Sequence, residues 1–284
     1  MNVLTTKDRA QILSLLVEGN SINAASRITG VSKNTILKLL VHVGTACLAY
    51  QDRVMVNLKC KKVQCNEIWA FVGMKQKNVP QELKGTLGIG DVYTWLAIDA
   101  DTKLIPCWNI GSRGAESAYE FIHDLAKRMA NRIQLTSDGH YAYVVAVEDA
   151  FGSDIDFAQL VKIYGNRGHS KEEAHRYSPA ECTGIKKSRV TGNPNMRDVS
   201  TSYIERANLT MRMHMPRFTR LTNAFSKKLE NHMYAVSLHF MYYNFCRIHT
   251  TTRVTPAMAA GLDDHLWDME EIVMMADTQD VTKN

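Results

Sequence analysis

Apolar and polar residues follow two rhythms along this chain, and the change falls near residue 60. Before it the period is helical. In TKDRAQILSLLVE (6–18), Ile12, Leu15 and Leu16 share one helical face with Ala10 a turn earlier, and Gly19 and Asn20 stop the helix. SINAASRITG predicts a second short helix ended by Gly30. VSKNTILKLLVHVG predicts a third with Ser32 as its N-cap, and residues 43–58 continue as helix and linker. Two short helices joined by a Gly-containing turn form the helix-turn-helix pattern, whose last helix presents its N-terminal residues to base edges. Here those residues are Ser32, Lys33, Asn34 and Thr35, with Lys38 one turn on. Asn pairs with adenine edges, and Lys with guanine or phosphate. The same periodicity also fits a three-helix bundle used for packing or dimerisation. The order Ala25, Gly30, Val31, Ser32 favours DNA reading.

From residue 61 the period drops to two. VQCNEIWAFVG reads as a strand, KQKNVPQELKGTLGIGD as a polar connection, and DVYTWLAIDA as a second strand. A turn at 99–103 leads into a third strand, KLIPCWNIGS, so these two form an antiparallel hairpin. AESAYEFIHDLAKRMAN is a helix with Ala118, Phe121, Ile122 and Leu125 on one side. IQLTSDGH is a fourth strand ending at Asp138, and YAYVVAVEDAF a further helix. Strand, hairpin, helix, strand with a terminal carboxylate is the order of a ribonuclease H-like sheet. A carboxylate just past an apolar strand lies at the carboxyl edge of the sheet, where α/β sites form. Taken alone, TSDGH reads more readily as the cap of the following helix.

Residues 165–202 are polar and turn-rich, with seven Lys/Arg against four Asp/Glu, which suits a loop on nucleic acid or a solvated insertion. In SYIERANLTMRMHMPRFTRLTNAFSKKLENH a helix runs to Pro216, which breaks it. Glu205, Asn208 and Arg212 fall at spacings of three and four. This is either a solvated charged face or a helix that offers one acid to a metal and several bases to phosphates. Trp69, Trp95, Trp108 and the Met-rich MRMHM segment read as core. ENHMYAVSLHFMYYNFCRIH reads as a helix against the sheet, followed by a last short helix and a tail. Net charge is +5 with a pI near 8.8, a mild lean toward polyanions. Six scattered cysteines suit free thiols in a reducing compartment, and Cys60 and Cys65 lack a second metal-binding pair. With no apolar run of about 18 residues and no secretory start, a cytoplasmic protein without a membrane span is expected.

TSDGH, SYIERANLTMRMHMPRFTRLTNAFSKKLENH and HFMYYNFCRIH together resemble bacterial insertion-sequence transposases of the DDE class, nearest in type to the insertion sequence one family. The resemblance extends from the helix-turn-helix to about Ile272. It implies an α/β chain: a small all-α helix-turn-helix domain (1–45), a linker (46–60), a ribonuclease H-like catalytic domain of mixed sheet and flanking helices (61–262, with a polar insertion at about 165–202), and a C-terminal helix and tail (263–284). It implies double-stranded DNA as partner, both element ends and target, and a homodimer or higher homo-oligomer at the bacterial nucleoid. It also implies three carboxylates holding two divalent cations, Mg²⁺ or Mn²⁺, roughly 4 Å apart, which clamp the attacking and leaving oxygens of a phosphoryl displacement.

Residue by residue, Asp138 matches the second acid and Glu205 the third, while the position of the first is Asn66. An amide keeps the size and one carbonyl oxygen but loses the charge, so impaired cleavage is expected. Glu67 does not replace it, because adjacent strand residues point to opposite faces. Arg206, Asn208 and Arg212 are expected to hold DNA near Glu205, with Arg217, Arg220, Lys227 and Lys228 tracking the backbone and His140 near a scissile phosphate. Two rivals stand beside this reading: a catalytically inactive DNA-binding regulator derived from a transposase, and a nuclease that cuts without joining.

Overall fold

The structure, a computed structural model, describes residues 4–86, 88–165, 182–219 and 221–281. Its first helix, α1 (Thr6–Val17), starts at a reciprocal cap. Asp8 N–H donates to Thr5 Oγ1 at 3.1 Å, and Thr5 N–H donates to Asp8 Oδ2 at 3.2 Å. Ser21 caps α2 (Ile22–Thr29), which ends at Gly30 in the left-handed region with φ +72°. Ser32 caps α3 (Lys33–Val54), which passes residue 45 without a break. The stretch expected as a linker is therefore helical as far as Val54.

The reason is a close helix crossing. α3 lies on the helix Leu229–Met241, and a Cβ added at Gly44 would stand 2.5 Å from Tyr234 Cβ and 2.8 Å from its carbonyl oxygen. Ser237 Oγ donates to Gly44 O at 2.9 Å, and Gln51 Nε2 donates to Ser237 O at 3.1 Å. Arg9 of α1 forks onto Asp277 of the last helix, Met269–Val281, with both contacts at 2.7 Å. The three N-terminal helices thus share one apolar cluster with the C-terminal ones, Ile12, Ile36, Leu40 and Val43 lying with Leu238, Met241 and Ile272.

Among the described residues the sheet has six strands: β1 (Lys62–Val72), β2 (Gly90–Asp99), β3 (Trp108–Gly111), β4 (Gln134–Ser137), β5 (Asp156–Tyr164) and β6 (Cys182–Thr191). Their spatial order is β3-β2-β1-β4-β5-β6. β1, β2 and β3 pair antiparallel, β1-β4 and β4-β5 parallel, and β5-β6 antiparallel. β3 is shorter than the sequence suggests, and Pro106, which has no N–H for a ladder, lies just before it. β6 lies inside the segment read as turn-rich, and 166–181 fall outside the described residues.

Helices cover both faces. On one, α4 (Ala115–Arg128) and α5 (Tyr141–Phe151) set Phe121, Leu125, Tyr143 and Val147 against Val63, Cys65, Trp95 and Leu135. On the other, α6 (Ser202–His214) and α7 (Leu229–Met241) set Ile204, Met211, Val236 and Phe240 against Ile68, Ala70, Leu96 and Ile98. Trp95 is wholly buried, while Trp69 and Trp108 are half-buried. A short turn, α8 (Pro256–Ala259), precedes α9 (Met269–Val281). Among the described residues no helix is long and apolar enough to cross a membrane.

Candidate active site

The alternation of β1 distributes four consecutive residues between two environments. Cys65 and Glu67 face α4 and α5, whereas Gln64 and Asn66 face α6. Gln64 is buried, and its Oε1 accepts the Tyr203 and Ile204 N–H groups at 2.9 and 3.1 Å. Those are open donors at the start of α6, so a strand side chain acts as the cap that Thr201 does not supply. This fixes the helix start over β1 and brings Glu205 over the cleft that Asn66 also lines.

Asp138 lies just beyond β4. Its Oδ1 accepts the His140 N–H at 2.9 Å, a local turn that holds the carboxylate at the strand end. His140, rather than Asp138, is the N-cap of α5: its Nδ1 accepts the Ala142 N–H at 3.3 Å. That assigns the proton to Nε2, which lies 3.0 Å from Arg113 O and donates to it. A Cβ at Gly139 would stand 2.7 Å from Val161 Cγ2, so a larger residue there would have to displace that side chain.

Glu205 is held at both oxygens. Thr201 Oγ1 donates to Oε1 at 2.7 Å, and Lys162 Nζ on β5 donates to Oε2 at 2.6 Å. Asn66, Asp138, His140, Lys162, Glu205 and Arg113 all line one cleft of about 590 Å³. A second cleft of about 1070 Å³ adjoins it, also lined by Asn66 and Arg113, and adds Glu67, Lys75, Tyr93 and Arg212. Arg113 stands between the two, with Nη2 and Nε each 2.8 Å from Glu67 Oε1. The Glu67 side chain is only 3 % exposed, and Tyr143 OH donates to its other oxygen at 3.3 Å. Burial pushes the Glu67 carboxyl above its ordinary value, with Asp138 adding to the effect and Arg113 and His140 opposing it.

The donor set decides whether two divalent cations belong here. The Asn66 oxygen accepts the Glu67 N–H at 2.8 Å and carries no charge. One Asp138 oxygen and both Glu205 oxygens already have partners. Two carboxylates at the site, Glu67 and Glu205, each carry a basic side chain. Among the described residues no three His, Cys, Asp or Glu side chains lie close enough to share a metal ion. Hard divalent cations require several negatively charged or carbonyl oxygens. The residues as they stand do not fit two such ions.

The residues expected to meet DNA are placed unevenly. Ser32, Lys33, Asn34, Thr35 and Lys38 are exposed at the start of α3, although Ser32 Oγ is occupied by Thr35 N–H and Oγ1. Lys33 and Asn34 border an apolar cleft of about 400 Å³ with Arg217 and Lys227. Arg206 and Arg212 are exposed on α6, and Lys227 and Lys228 just before α7. Asn208 is the exception. It is 4 % exposed because Ile204, Ala207, Asn208 and Met211 form the stripe of α6 turned to the sheet, so it is a core residue and not a surface contact. Arg217 is turned inward too, donating from Nη1 to Ser226 Oγ at 2.7 Å and to Asn231 O at 3.1 Å. Burial lowers its pKa to about 10. Arg220 lies outside the described residues. Gln64, Arg113 and Lys162 carry no local sequence signal, because their partners are all remote in sequence.

No protein-family model matches the chain, and no curated protein matches it. Among solved structures, the chain is similar to the piggyBac transposase of a cryo-EM synaptic complex with hairpin DNA. The TM-score is 0.43 at 11 % identity, over 98 % of this chain and 73 % of that one. It is also similar to the crystal structure of the Mos1 strand transfer complex, with a TM-score of 0.24 at 10 % identity, over 85 % of this chain and 76 % of that one. Both likenesses are distant, and the site's own geometry is what bears on function.

Proposed function

We propose that this chain is a transposase-type DNA-binding protein, built to hold the ends of a mobile element and impaired in strand cleavage at Asn66. One observation carries the reading: Asn66 from β1, Asp138 from the end of β4 and Glu205 from α6 line a single cleft, on the strand-and-helix framework in which such acids work together. Asn66 is the uncharged member. Arg113 and Lys162 line this cleft and Arg212 the adjoining one, basic groups for phosphates, with Arg206 exposed on α6. The start of α3 supplies Lys33 and Asn34 for base edges. Holding two element ends at once requires at least two copies of the chain.

A binding-only regulator is the second reading. The Lys162–Glu205 contact at 2.6 Å favours it, because it leaves the third acid paired within the protein.

Fluorescence anisotropy with duplexes from the DNA flanking the gene, against shuffled duplexes, tests the binding half. The expected result is tighter binding to the flanking DNA, weakened by salt, with both strands left intact by the natural chain. Equal, weak binding to both duplexes would remove the element-end assignment.

A further inference from the structure

The expected metal pair and the observed donors disagree, and the disagreement centres on Lys162. Its Nζ lies 2.6 Å from Glu205 Oε2, within the same cleft as Asp138 and Asn66. The side chain comes from β5, whose outer neighbour β6 is largely exposed, and it turns inward to reach Glu205, at 31 % side-chain exposure. Thr201 Oγ1 holds the other oxygen, so the carboxylate is fixed against the ammonium at both ends. The first-acid position has lost its charge at Asn66, and Glu67 is neutralised by Arg113 on the opposite face of β1. The cleft sets two acids, Asp138 and Glu205, against Lys162, Arg113 and the amide of Asn66, and Lys162 already meets Glu205, which gives a divalent ion little to bind.

We propose that Lys162 is the resident cation of this cleft. Its ammonium takes the place beside Glu205 that a divalent ion would occupy, so the chain excludes that ion and meets a DNA phosphate through Lys162 instead. The phosphate half rests on the DNA-binding reading above; the exclusion of the ion does not.

The test follows Mn²⁺ uptake by the full chain, without DNA, through the electron paramagnetic resonance signal of the free ion. Lys162→Met removes the charge, Lys162→Gln does so with a polar end should Met disturb the fold, and Lys162→Arg keeps it. The natural chain and Lys162→Arg are expected to leave millimolar Mn²⁺ free. Lys162→Met or Lys162→Gln is expected to bind roughly tenfold more tightly, and the same gain is expected when Lys162→Met is added to Asn66→Asp. Equal Mn²⁺ binding with and without Lys162, in both backgrounds, overturns the proposal. A parallel titration of a DNA duplex in EDTA reads the second half. There the natural chain is expected to keep its affinity and Lys162→Met to lose several-fold, and an unchanged affinity for Lys162→Met overturns the phosphate contact. A chain that excludes Mn²⁺ through Lys162 yet binds no DNA supports the first half and overturns the proposed function.

Discussion

The two faces of β1 treat neighbouring polar residues in opposite ways. Toward α4 and α5, the Glu67 side chain is 3 % exposed, paired with Arg113 and Tyr143 at the margin of the second cleft. Toward α6, Gln64 spends its oxygen on a helix start and Asn66 opens onto a cleft. One residue of displacement along a strand separates a charge that holds the structure from a group placed to meet a ligand. The lesson is that an acid next to a missing acid does not substitute for it while Arg113 and Tyr143 hold both of its oxygens.

The largest break in this comparison is Glu67→Ala. It strands Tyr143 OH in the core and frees Arg113, and the pair is buried on one side only. A loss of about 3 kcal/mol, read by urea unfolding, is expected. A loss no larger than that of an exposed pair would show that Glu67 belongs to the open face after all. Next comes Gln64→Leu, which removes the acceptor for two N–H groups of α6 at similar volume. About 1–2 kcal/mol is expected, together with faster amide exchange at Tyr203 and Ile204. A smaller effect sharpens the contrast through pH. The folded Glu67 carboxyl holds its proton above the ordinary value of 4.5, so the native state binds more protons than the unfolded state just above that pH. Its contribution to stability therefore falls as pH rises through that window. Glu67→Gln is expected to remove this downward slope from a plot of unfolding free energy against pH. Asn66→Asp is the mildest for stability, at less than about 1 kcal/mol, because the side chain faces an open cleft.

Much of this frame is legible in the sequence because local rules govern it. The period-two run 63–72, the turn at 99–103 and the caps at Gly30 and Ser32 all depend on neighbours within a few residues. The cleft is only partly legible. Asp138 and Glu205 stand out through the family resemblance, TSDGH alone reading as a helix cap, whereas Lys162 and Arg113 matter through partners 43 and 46 residues away. DFAQLVKIY mixes core and exposed positions without a clean period. Asn208 shows the converse failure: a spacing that groups it with Glu205 cannot say which side of α6 faces the sheet.

The central claim is that Asn66 is the altered member of a working set with Asp138 and Glu205. The most direct measurement restores the acid and removes the lysine beside Glu205: Asn66→Asp with Lys162→Met, next to Asn66→Asp and the unchanged chain, on labelled DNA from the element flanks, with Mg²⁺ or Mn²⁺, following strand cleavage and joining. The account predicts products from the double variant, lost again when Asp138→Asn or Glu205→Gln is added, and far fewer while Lys162 is present. Intact strands from the double variant, in a chain that binds the same DNA, would contradict it.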